Sequence, residues 1–217
     1  MPLKDHVPAI AVETFSVVLG VLLALAVNAW REDGVHHVQV DVALQTIRRE
    51  IAANRELLTE RLPYHQSMRD SLRALVGRTR GQTTPGGLQV IKTWQGVQPT
   101  RLVDDAWHTA GATGLLQYMP YPLVLELSQT YSTQNRLQDV NRGLATVVYS
   151  PSFAANGVAA LASVDSYLAD IAETETQLVS QYDSSLRAVS GALDGLQPGS
   201  PPTSHGPTAA LPRSGRP

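Results

Sequence analysis

The stretch Val7 to Trp30, VPAIAVETFSVVLGVLLALAVNAW, constrains this chain more than any other. Its only charge is Glu13, and from Thr14 to Val27 there is none. A hydrocarbon core about 30 Å thick takes roughly 20 apolar helical residues, at about 1.5 Å rise each, to cross it. The run meets that length. Trp30 stands where an interfacial aromatic would, and Arg31-Glu32-Asp33 follows as a polar stop. The expectation is one membrane-spanning helix over 7–30, after a short tail over 1–6. Two other readings compete with it. A cleaved signal peptide would have an apolar region of about 7–15 residues and a basic start, whereas Lys4 here has Asp5 beside it. A buried core helix would carry more polar interruptions.

With that helix come a lipid bilayer as partner and a bacterial inner membrane as location. Lys4 on one side, against Arg31, Arg48 and Arg49 on the other, encodes orientation weakly; the body is placed on the outer, periplasmic side. Glu13 is then an intramembrane acid, costly unless near the interface, paired or protonated. Ser16, Gly20, Ala24 and Asn28 recur every four residues and share a helix face. Small residues allow close helix approach and Asn28 offers a hydrogen bond, so this face is a candidate for association with a second copy or another membrane protein.

The remaining body, 31–193, holds about 160 residues, enough for one domain with a core. Val40, Leu44, Ile47, Ile51 and Leu58 trace a heptad seam, with Asn54 in a missing slot, and Pro63 is expected to end that helix. Tyr64 to Arg78 reads as a second helix and Gly81 to Gly87 as a loop. Asp104 or Asp105 can cap a helix bearing Trp107, Ala110, Gly114 and Leu115, which Pro120 stops. Pro122 suits the first turn of the next helix, with Leu123, Val124, Leu127 and Tyr131 on its apolar face. Gly157 to Leu193 repeats Leu161, Val164, Leu168, Ile171, Leu178 and Tyr182 at heptad spacing, with Glu175 as a polar interruption. Two seams of similar length would pack as neighbours in an antiparallel bundle. The fold class expected is all-α: one transmembrane helix, an antiparallel helical bundle, and a disordered tail over 194–217, rich in Pro, Gly, Ser and Thr.

A net charge of -2 leaves no basic footprint, so nucleic acid has no electrostatic support as a partner. The absence of Cys excludes disulfides, thiolate nucleophiles and Cys-based zinc sites. No phosphate-loop, dinucleotide, nucleophile-elbow or zinc-protease motif occurs. No catalytic, cofactor-binding or metal-binding residue is therefore assigned, and no cofactor is expected. Asp104, Asp105 and His108 lie three or four residues apart near Trp107, which makes these four the weak functional candidates. Against them, a metal takes three or four ligands and no second cluster is spaced to complete one.

The sequence Glu13 to Trp30, the pair Glu50 and Asn54, and the set Ala106-Trp107, Thr113-Gly114, Tyr121 to Val124, Leu127-Ser128, Tyr131 and Gln134 carry a resemblance. They resemble the motifs of a family of uncharacterised bacterial single-pass membrane proteins. The resemblance implies that Glu13 and Asn28 belong to a recurring anchor design, and it brings no activity with it. The function expected is a membrane-anchored helical interaction or scaffold protein that self-associates. The alternatives are a membrane-tethered ligand-sensing module with an aromatic pocket around Trp107, and an enzyme using Asp104, Asp105 and His108.

Overall fold

The computed structural model describes residues 7–79, 94–151, 153 and 157–196, with side chains omitted at some helical positions near the N-terminus and at the start of the last helix. Among these residues the fold is all-α. Helix α1 runs Val7–Thr79, α2 Asp105–Ala112 and α3 Tyr121–Val148, and the last helix, here α4, spans Gly157–Leu196. A 3-10 turn, Leu115–Tyr118, joins α2 to α3.

The expected membrane-spanning helix is corrected. Among the described residues no helix is long and apolar enough to cross a membrane. Arg31 and Glu32 then continue the same helix rather than ending it. Glu13 loses its reading as an intramembrane acid, and its side chain, like that of Ser16, lies outside the described ones. The single-pass placement loses its basis with them. Of the expected tail over 194–217, residues 194–196 are instead the end of the last helix; the rest of it, the tail over 1–6 and the loop at Gly81 to Gly87 lie outside the described residues.

A second correction concerns Pro63, which sits inside α1 instead of ending it. Proline removes one backbone donor and crowds the preceding turn, a cost of about 3 kcal/mol in an isolated helix. Here the residues on both sides share one buried seam: Leu44, Ile51 and Leu58 before it, Leu72 after it, each 0% exposed. Packing outweighs the local break. The two helices expected over Val35–Leu62 and Tyr64–Arg78 are one.

The antiparallel bundle takes form as expected, built on three long helices. Arg55 pairs with Asp183 and His65 with Glu175, so α4 runs opposite to α1. Thr130 meets Ser185 and Arg136 meets Gln177, so α3 is antiparallel to α4 as well. Close approach there depends on Gly143, where an added Cβ would lie 3.0 Å from the Tyr167 ring. α1 and α3 are parallel and are bridged by an extended strap, residues 94–104, whose Val97 and Leu102 are buried. N-terminal to Val40 the buried seam stops; His36 still stacks on Tyr118, and among the described residues the part of α1 before it extends as an arm.

Candidate functional site

Two buried polar groupings organise the bundle, both centred on the strap. The upper one begins at Asn54, the polar residue in the α1 seam, 1% exposed. Its Nδ2 donates to the Val103 carbonyl at 2.6 Å, and its Oδ1 accepts from the Val103 amide at 2.9 Å. One side chain thus satisfies both backbone groups of a strap residue, as a neighbouring strand would. From α3, Gln134 Nε2 donates to the same carbonyl at 3.1 Å, and Gln138 Nε2 donates to the Leu102 carbonyl at 3.0 Å. Tyr182 of α4 closes the group by donating to Gln134 Oε1 at 2.6 Å.

One turn earlier on α1, Glu50 holds the start of α2. The Ala106 amide donates to Glu50 Oε2 at 2.8 Å, and the Tyr131 hydroxyl donates to Glu50 Oε1 at 2.7 Å. Asp104 stands at the N-cap of α2 as expected, yet makes no side-chain cap bond. A carboxylate from another helix does that work. Trp107 stacks on Tyr131 with centroids 5.3 Å apart and planes 11° from parallel. Burial, then the hydrogen bond and charge of Glu50, raise the Tyr131 hydroxyl's pKa far above its usual value, so it stays a donor. Burial, then the Glu50 charge, raise that of Tyr182 likewise.

The lower grouping was not anticipated. His65 and Glu175 have fully buried side chains, and His65 Nδ1 lies 2.9 Å from both carboxylate oxygens. His65 Nε2 faces the Val97 carbonyl at 3.1 Å. Both ring nitrogens therefore face acceptors, which an imidazolium satisfies and a neutral ring does not. Burial alone would lower the His65 pKa. The Glu175 hydrogen bond and charge, with the Val97 and Gln98 carbonyls, outweigh it and raise the pKa above the ordinary value. Tyr64 ties the strap beside this pair, donating to the Gly96 carbonyl at 2.6 Å and accepting from the Gln95 amide at 3.0 Å. Gly96 at φ 93° and Gln98 at φ 45° make the turn there. Gln98 is held in that uncommon conformation by Arg61, which donates to its Oε1 at 2.8 Å.

The residues singled out from sequence divide clearly. Asp104 and His108 do meet, at 3.2 Å, but the imidazole is largely exposed. No group of three His, Cys, Asp or Glu able to hold a metal occurs among the described residues. Trp107 is engaged in packing, Tyr118 stacks instead on His36, and Tyr121 is exposed, so these aromatics do not converge on one pocket. Gly20, Ala24 and Asn28 are exposed; a Cβ on Gly20 would meet nothing, and Asn28 donates to Glu32 at 2.9 Å. By contrast Glu50 joins Ala106 and Tyr131, on which Trp107 stacks, and one turn on Asn54 joins Gln134, residues scattered over 85 positions of sequence.

These features define a class: an all-α antiparallel bundle with a buried polar clamp on an irregular strap and an apolar helical arm. No protein-family model, no curated protein and no solved structure matches the chain.

Proposed function

We propose that the protein is a helical interaction module that self-associates through the arm of α1, with the bundle as its rigid base. The observation that supports this is the arm's surface. Phe15, Val18, Leu19, Val21, Leu22, Leu23, Leu25, Val27 and Trp30 are each 44–77% exposed. Together they leave on the order of 1,000 Å² of apolar surface uncovered, beyond the few hundred Å² that a soluble monomer commonly exposes in one patch. A stable interface takes about 800 Å² per partner, a size the arm reaches when most of its apolar circumference is covered by other arms. The Gly20, Ala24 and Asn28 face adds a track on which helices approach closely, and no charge between Phe15 and Trp30 opposes it.

The test is sedimentation of the full chain beside a Leu22→Glu/Leu25→Glu variant, with flotation on phosphatidylcholine vesicles. Oligomers from the full chain and monomers from the variant support the reading. A full chain that stays monomeric, or that floats with vesicles as a monomer, overturns it.

A further inference from the structure

A cavity of about 460 Å³ lies between the strap and α3, away from the arm. Its walls are strap residues Pro99 to Asp105 and, on α3, Gln138, Asn141, Arg142 and Ala145. Two of the lining residues have polar atoms with nothing to do. Asn141 is 3% exposed, and neither its amide nitrogen nor its carbonyl oxygen has a hydrogen-bond partner. Thr100 is 6% exposed, and its hydroxyl is likewise without a partner. A buried polar group left unsatisfied costs about 1–3 kcal/mol, and apolar side chains of similar size were available at both positions. The amides of Asn54 and Gln134, and of Gln138 at the cavity itself, are all engaged with the strap. Single unpartnered polar atoms also occur at His36, Glu126, Asp165 and Gln181, whereas here two such residues line one cavity.

The charges around it are balanced. Arg101 and Arg142 stand against Asp104 and Asp105. Arg142 pairs with Asp139 and Asp104 with His108, while Arg101 and Asp105 enter none of the ion pairs among the described residues. A ligand of net charge would find no excess of the opposite sign, whereas one carrying both signs finds a partner for each. The volume falls in the usual range for small-molecule sites, about 300–1,000 Å³.

We propose that this cavity binds a small zwitterion, a free amino acid, between the strap and α3. Arg101 meets its carboxylate, Asp105 meets its ammonium, and Asn141 and Thr100 take polar atoms of the ligand inside. The site needs no oligomer, so it stands or falls apart from the arm.

The experiment is isothermal titration of the full chain with each of the twenty L-amino acids at millimolar concentration, repeated with the N-acetyl and methyl ester forms of any that binds. At least one free amino acid is expected to bind, and blocking either charged end should weaken it tenfold or more. Asn141→Leu should abolish binding while leaving the melting temperature equal or higher, because the amide serves nothing in the fold. Arg101→Gln, at an exposed position with no ion pair among the described residues, should weaken binding without altering the melting temperature. If no amino acid binds, and Asn141→Leu only raises the melting temperature, the amide was a tolerated defect or a water site and the proposal is wrong. Binding that survives Asn141→Leu also overturns it.

Discussion

Helix α1 is one continuous rod with two unlike halves. From Val40 to Leu75 its seam residues are 0–8% exposed, whereas from Phe15 to Trp30 large apolar side chains are 44–77% exposed. The hydrophobicity of the two halves does not explain this, since the exposed half is the more apolar. The difference is in the neighbours. The register set by Arg55–Asp183 and His65–Glu175 brings Leu196, the end of α4, to the Val42–Leu44 turn of α1. Beyond that turn, among the described residues, α1 meets Tyr118 through His36 and no second long helix. Among the described residues, burial along α1 follows how far the neighbouring helices reach.

The contrast predicts unequal costs for changes along one helix. Glu175→Ala, which strands the buried His65 imidazolium, should cost about 3–5 kcal/mol in urea unfolding. Asn54→Ala leaves the Val103 amide without its partner and its carbonyl with Gln134 alone, and should cost about 1–3 kcal/mol, with faster hydrogen exchange at the Val103 amide. Loss of the Glu50 acceptor in Glu50→Ala uncaps α2 and should cost about 1–2 kcal/mol. Leu22→Glu in the arm should change stability by less than about 0.5 kcal/mol while reducing association. If the arm substitution instead costs as much as the seam ones, the two halves are not distinct in the way described.

Acidity sharpens the same comparison. The His65 pKa is raised in the folded protein above its ordinary value of 6.5. Its contribution is therefore complete below pH 6.5 and is lost as pH rises through the raised folded value. Unfolding measured from pH 6 to 10 should show that decline. Glu175→Gln should flatten it, because a carboxamide can donate to Nδ1 while a neutral His65 donates through Nε2 to Val97. An unchanged slope in that variant would assign the pH dependence elsewhere.

Much of the bundle was legible because heptad spacing is local. Val40, Leu44, Ile47, Ile51 and Leu58, and Leu161 through Tyr182, are the buried positions their spacing indicates. Asp104 as the N-cap of α2 and Pro122 at the start of α3 were legible for the same reason. The reading of Pro63 as a stop was wrong because propensity was weighed without the packing on either side. That reading also hid His65, which continues the series Leu44, Ile51, Leu58 toward Leu72 at seven-residue steps. Glu175 holds the matching place between Leu168 and Tyr182. One charged residue in each of two facing seams is the signal that would have found the pair.

The sequence alone determined the helical class, the two long seams and their wish to pair, because those follow from a period of 3.6 and the exclusion of apolar groups from water. It did not determine whether an apolar stretch is covered, since that depends on how far another helix reaches. Nor did it place Glu50 at the start of α2, Asn54 on Val103, or Asn141 and Thr100 at one cavity. Those are contacts between residues far apart in the chain, and only the packed tertiary structure decides which of them meet.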